Sequence, residues 1–237
     1  MRDTVLTDLD GTLLLFDQDE FIKRYFGQLC RQMPDYEPDR VVRAVWTGTK
    51  AMIGNDGTKT NAERFWDAFA AEFGEEIRER EAILDAFYRN EFHEIKGVLK
   101  RIGAAKELVD TLRAKGYTLV LATNPIFPKV AVLSRLAWTG LTEDDFIHIT
   151  HYENSRFCKP NPQYYEEILA AIGKRADECY MFGNSIHEDM IAQTLGMEVR
   201  FLPECEENPH GLPTDGYPRC TLEELCDEVK TWDDVNA

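Results

Sequence analysis

The chain has 237 residues, 43% of them apolar and 30% charged, and its 43 acidic against 27 basic side chains leave a formal net charge of −16. That length holds one large domain or two modest ones, and the composition is that of an ordinary globular protein. A surface this negative repels nucleic-acid phosphates and anionic membranes, and no stretch approaches the roughly 20 apolar residues of a membrane span, so no nucleic acid and no membrane is expected as a partner.

A secretory signal is not expected either, because the first apolar run is short and broken by aspartates. The six cysteines include no C-x-x-C pair. A zinc site built from Cys205, His210, Cys220 and Cys226 would match no common ligand spacing, and scattered reduced thiols point to a cytoplasmic protein.

In chain order, Thr4 to Leu9 are mostly β-branched or apolar and predict a short buried strand. From Phe16 to about Gly97 the pattern turns helical. DEFIKRYFGQLCRQM, PDRVVRAVWTGTKAMI, NAERFWDAFAAEF and REAILDAFYRNEF repeat apolar residues every three or four positions, with short breakers between them. These segments predict a unit of antiparallel helices.

After Gly97 strands and helices alternate. The predicted strands are YTLVLATN, FIHITHY, CYMFGN and MEVRFL; the predicted helices are AAKELVDTLRAKG, PKVAVLSRLAW, NPQYYEEILAAIG, EDMIAQTLG and TLEELCDEVKTW. Such alternation predicts an α/β fold with a parallel sheet covered on both faces. The expected organisation is therefore a core of residues 1–15 and 98–237 carrying an all-helical insert, 16–97. The insert leaves just past the first strand and would overhang its carboxyl end, the edge where ligands bind in open α/β sheets.

Residues two apart in a strand point to the same side, so Asp8 and Asp10 share one space where the first strand ends. Two anions held that close repel each other, so either one is protonated or a cation lies between them. Thr123 with Asn124, and the run GNSIHED from Gly183 to Asp189, also follow predicted strands. A loop would bring Lys159, in CKPNP, to the same edge. Taken singly, these residues read as a turn, a helix cap and a solvated lysine; taken together they make a site.

DLDGT, Thr123, Lys159 and GNSIHED, in this order and in these strand contexts, resemble the four motifs of the haloacid dehalogenase superfamily, in the phosphatase branch with a helical cap inserted after the first motif. The resemblance covers essentially the whole chain. It implies a three-layer Rossmann-like parallel-sheet core with a helical cap domain. The implied activity is that of a hydrolase, a Mg²⁺-dependent phosphatase (phosphoric monoester hydrolase) acting on a small phosphorylated metabolite through an aspartyl-phosphate.

In that pattern Asp8 is the nucleophile, and Asp10 is the general acid that becomes the base for water. Gly11 lets the chain turn tightly beside the substrate, and Thr12 supports the turn. The Thr123 hydroxyl and the Asn124 backbone N–H donate to phosphate oxygens, and Lys159 neutralises developing charge. Mg²⁺ would be held by Asp8, the backbone carbonyl of Asp10, Asn184 and Asp189. The family commonly has an acid where this chain has Asn184, so its neutral amide removes one negative charge from the site.

Glu188 reads as a first-turn acid of the following helix, favoured by the helix dipole. Within the insert, the turn GNDGTKTN offers Asn55 and Lys59, with Lys50 shortly before it, and Lys59 is the candidate substrate contact. His151 and His187 read as surface or packing residues. Three other functions stay open: a phosphomutase, a haloacid dehalogenase, which needs neither metal nor an acid at position 10, and a non-catalytic metabolite-binding relative, which Asn184 allows.

Overall fold

The computed structural model describes residues 2–101 and 104–235. Strand β1 (Thr4–Thr7) is followed by a very short strand β2 (Leu15–Phe16), which pairs antiparallel with β3 (Leu99–Arg101). Between those two lie α1 (Gln18–Arg31), α2 (Pro38–Ile53), α3 (Asn61–Phe73) and α4 (Glu81–Arg89), so the chain enters and leaves the helical segment through a two-stranded ribbon. The sequence pattern did not signal this ribbon, because its strands are too short to show a period.

The rest alternates as expected: α5 (Ala104–Ala114), β4 (Thr118–Leu121), α6 (Lys129–Trp138), β5 (His148–Ile149), α7 (Pro162–Ile172), β6 (Cys179–Gly183), β7 (Glu198–Phe201) and α8 (Leu222–Lys230). The five longer-range strands form one parallel sheet in the order β5-β4-β1-β6-β7.

Alternate strand residues serve opposite faces, which is why the strand segments read as continuous apolar runs. Val5, Leu121 and Phe182 belong to a core with α5, α6 and α8 that continues into the helices of the insert. Leu6, Val120 and Met181 belong to a second core with α7 and the segment after β6. The layers are helix, sheet, helix.

Local signals explain the best-defined helices. Pro38 opens α2, where its missing N–H has no partner to lose. Thr60 and Glu63 form a reciprocal capping box at the start of α3. Gly173, with φ of 67°, ends α7 in the left-handed conformation.

Three expectations are corrected. EDMIAQTLG is not an α-helix; Met190–Leu195 winds as a 3₁₀ segment. FIHITHY supplies only the two-residue β5. The last helical stretch of the insert breaks after Arg89 and continues as a 3₁₀ segment, Glu91–Val98.

In register, Thr7 lies beside Leu121 on one side and Phe182 on the other. The residues that follow each, Asp8, Thr123 and Asn184, therefore emerge together at the carboxyl edge. The insert is tied to this edge. Asn61, fully buried, donates from Nδ2 to the Pro125 carbonyl at 3.2 Å, and its backbone N–H donates to the Ser155 carbonyl at 2.8 Å.

Candidate active site

Asp8 is buried at the end of β1. Its Oδ1 accepts from Lys159 Nζ at 2.8 Å, and the same ammonium donates to Asp189 Oδ1 at 2.6 Å. Lys159 reaches this position from the loop between β5 and α7, as the sequence required. Its backbone N–H also donates to Asn124 Oδ1 at 3.3 Å. Burial works against the lysine charge, but Asp189 and Asp8 outweigh it and raise its pKa well above the ordinary value. The ammonium is wedged between the two carboxylates and is not on the cavity wall. Its direct role is thus to hold them.

Two glycines make room for Asn184 and Asp189. Gly11, with φ of +83°, turns the chain where a Cβ would lie 2.2 Å from Asn184 Nδ2. At Gly183 a Cβ would lie 2.2 Å from Asp189 Oδ2. The Asp189 carboxylate folds back over β6 and accepts from the Ser185 N–H at 2.9 Å, so only glycine fits at that strand end. Thr12 does more than support a turn: its hydroxyl lies 3.4 Å from Asp8 Oδ2 and 3.1 Å from Asn184 Oδ1. Asn184 Nδ2 donates to the Cys205 carbonyl at 2.6 Å, and this contact turns the amide oxygen toward Thr12 and Asp8.

Thr123 is buried and faces the cavity, and its carbonyl is pinned by Thr150 Oγ1 at 2.6 Å and Tyr164 OH at 2.9 Å. Asn124 Nδ2 donates to Glu188 Oε2 at 3.0 Å. Glu188 is therefore not a solvated first-turn acid. It lines the cavity, accepts from Asn124, and is pushed by burial up to about 7.

Asp10 meets an arginine that the sequence did not single out. Arg135 on α6 is wholly buried, its Nε 3.2 Å from Asp10 Oδ1 and its guanidinium 4.1 Å from the centre of the Phe127 ring. The pair lacks hydrogen-bond geometry, so the contact is Coulombic and stacking. Burial raises the pKa of Asp10, and Arg135 followed by Lys159 opposes that rise.

Asp8, Asp10, Thr123, Asn124, Asn184 and Asp189 all line one cavity of about 290 Å³ that extends up between the helices of the insert. Lys59 does not: it donates to Asp67 Oδ2 at 2.6 Å on the insert's own surface, which corrects the expectation that it meets substrate. Lys50 does not line the cavity either, and Asn55 is spent on internal bonds to the Lys59 carbonyl and Asn61 Oδ1. His151 pairs with Glu153, and the His187 ring lies 4.8 Å from that of His210.

The family model of the haloacid dehalogenase-like hydrolases matches residues 2–192. The chain belongs to this family. Over 200 residues it is 27% identical to the pyrophosphatase PpaX of Halalkalibacterium halodurans, covering 83% of this chain and 81% of that protein. In structure this hydrolase is similar to a HAD phosphatase from Thermococcus onnurineus, with a TM-score of 0.60, 21% identity, and 99% of this chain and 100% of that one covered. It is also similar to an L-2-haloacid dehalogenase from Xanthobacter autotrophicus, with a TM-score of 0.58, 15% identity, and 98% and 99% covered.

The donor set of this hydrolase fits a hard divalent cation. Asp8, Asp189, the Asn184 amide and the Asp10 main chain offer only oxygens, the chemistry Mg²⁺ prefers. The carboxyl groups of Asp8, Asp10, Glu188, Asp189 and Glu207 all line the cavity, against two buried cations, Lys159 and Arg135. Burial pushes Asp8 and Glu207 each up to about 7, the sign of an acid cluster short of positive charge. Among the described residues no three His, Cys, Asp or Glu side chains converge as a complete cage.

Arg135 and Glu207 are the functional neighbours that sequence reasoning missed; Gly183 and Ser185 lay inside the run GNSIHED but were given no role of their own. Arg135 carried a signal, a cation in the middle of the apolar run VAVLSRLAW. Glu207 carried none, since only the fold brings its loop beside Ser185.

Proposed function

We propose that this hydrolase is a Mg²⁺-dependent phosphatase that cleaves a small phosphomonoester through an aspartyl-phosphate on Asp8. The observation that carries the reading is Asp8 at the cavity floor, oriented by Lys159 at 2.8 Å, with Asp10 facing the same cavity two residues on. Residues 16–97 are proposed as a cap domain over a core of 1–15 and 98–237. Six free cysteines suit a reducing cytoplasm. Among the described residues no helix is long and apolar enough to cross a membrane.

Lys159 lowers the cost of ionising Asp8 and fixes one of its oxygens, leaving the other, beside Thr12, to attack phosphorus. A bond forms between that oxygen and phosphorus as the bond from phosphorus to the leaving oxygen breaks. Asp10 gives its proton to the leaving oxygen. Asp10 then takes a proton from a water whose oxygen attacks the phosphorus, which frees inorganic phosphate and restores Asp8. Thr123 and the Asn124 N–H hold the equatorial oxygens. Mg²⁺, held by Asp8, Asp189, Asn184 and the Asp10 carbonyl, would supply the positive charge that admits a phosphate dianion to so acidic a pocket.

The dehalogenase among the structural neighbours shares the fold. Attack on carbon has no use for a proton donor two residues past the nucleophile, so Asp10 with its buried Arg135 favours phosphorus. The test is phosphate release from 4-nitrophenyl phosphate by the native protein and by Asp8→Asn, with and without Mg²⁺. Release that needs both Mg²⁺ and Asp8 is expected; release that survives Asp8→Asn contradicts the reading.

A further inference from the structure

The part of the cavity above Asp8 and Asp10 shows what the leaving group is made of. Its wall is aromatic and aliphatic, and α2 contributes Trp46 and Ile53, seven residues apart and so on one helix face. These two are among the few large apolar side chains left exposed, at 44% and 50%, and both face this cavity. Phe26 of α1 packs its ring 5.7 Å from that of Trp46. Exposed apolar surface gathered inside a concave site, and not scattered over the outside, marks a place that an apolar group fills.

The hydroxyls of the upper cavity already have partners, which leaves Gln18, Glu81 and Asp85 as its other polar side chains among the described residues. Tyr25 and Tyr88 bond each other through their hydroxyls at 2.8 Å, and Tyr152 OH accepts from Trp66 Nε1 at 3.4 Å. A polyhydroxylated leaving group would lose its water there and find few partners in exchange.

Charge selects in the same direction. Among the described residues no lysine or arginine lines the cavity. The charged groups on its insert side are Glu81 and Asp85, four residues apart on α4, and among the described residues neither has a salt-bridge partner. A substrate with a second anion would set it against carboxylates with no cation to receive it.

We propose that the substrate is a phosphate monoester whose leaving group is bulky and apolar, aromatic in preference, and carries no second anionic group. The inference rests on the phosphatase reading above. It separates this chain from its relative named as a pyrophosphatase, since pyrophosphate would bring a second anion into a cavity that, among the described residues, no lysine or arginine lines.

The test compares kcat/KM of the full chain with Mg²⁺ on 2-phenylethyl phosphate and ethyl phosphate, two esters of similar leaving-group basicity, and on 2-phosphoglycolate and pyrophosphate. Burying the phenyl ring is expected to favour phenylethyl over ethyl phosphate by ~10–100-fold, with both doubly anionic compounds poorer than ethyl phosphate. Trp46→Ala should shrink the phenylethyl to ethyl ratio. Ile53→Lys should raise phosphoglycolate relative to ethyl phosphate. Both sites are exposed enough to substitute without unfolding the chain.

A phenylethyl to ethyl ratio near one, or a preference for phosphoglycolate or pyrophosphate, overturns the inference while the phosphatase reading stands. Failure to release phosphate from any of the four, or release that persists in Asp8→Asn, overturns both.

Discussion

Arg135 lies with its Nε 3.2 Å from Asp10 Oδ1, wholly buried and stacked on Phe127, so the group assigned as acid and base is held by a cation from the far end of a strand-to-helix crossover. Removing that cation leaves only Lys159 to oppose burial at Asp10, and its pKa rises further. Water activation needs Asp10 ionised, so in Arg135→Met the acidic limb of the kcat profile should move to higher pH, and kcat at neutral pH should fall by ~10–100-fold. The stability loss should stay below the about 3–5 kcal/mol of a fully buried pair, because the Asp10 side chain keeps 26% of its exposure. Arg135→Lys should recover part of the pH shift. A pH profile unchanged in Arg135→Met would show that the arginine only packs.

Gly183 and Asp189 are a matched pair. A methyl group at 183 would sit 2.2 Å from Asp189 Oδ2 and force the carboxylate away from Lys159 and the Ser185 N–H. Gly183→Ala should therefore raise the Mg²⁺ concentration for half-maximal activity by at least ~10-fold, the usual scale for disturbing a ligand's orientation. Titration calorimetry with Mg²⁺ alone reads the same loss without turnover. Unaltered Mg²⁺ affinity in a folded variant would remove Asp189 from the metal set.

The acid cluster also predicts how the metal-free protein responds to pH. Burial raises Asp8, Glu188 and Glu207 to about 7 in the fold, above their ordinary values of 3.8, 4.5 and 4.5. Between those limits the folded state binds more protons than the unfolded chain, so stability falls as pH rises and levels off above about 7. In EDTA the melting temperature should drop by at least ~5 °C from pH 5 to pH 7.5. Mg²⁺ should restore most of that drop at the upper end, where the carboxyls are ionised. A melting temperature that climbs over this interval without metal would contradict the assignment of a cluster short of positive charge.

Much of this was legible in the chain itself. α2 and α3 occupy Pro38–Ile53 and Asn61–Phe73, the same segments the apolar period picked out, because a proline and a capping box fix their starts. Asp8, Thr123 and Asn184 converge because each follows a strand, and parallel neighbours end at one edge. The 3₁₀ segment at Met190–Leu195 was not legible. The turn that bends Asp189 back onto Ser185 uses up the residues that a first helical turn would need, and the few that remain wind tightly. Arg135 had one mark in sequence, a cation inside an apolar run, with nothing to say that it would meet Asp10. Only the packing of the insert over α6 turns it inward. Lys59 misled for the opposite reason: a cation near a site-facing turn has nothing in sequence to say that Asp67 will claim it.

The measurement that bears most directly on the account is acid quench of Asp10→Asn during reaction with 4-nitrophenyl phosphate and Mg²⁺, followed by mass analysis of its peptides. With the leaving group needing no acid and water no longer activated, the account predicts a burst of nitrophenol equal to the enzyme present and a phosphoryl group on the peptide that carries Asp8. Nitrophenol released with no phosphoryl group on that peptide, or with one on any other residue, would contradict it.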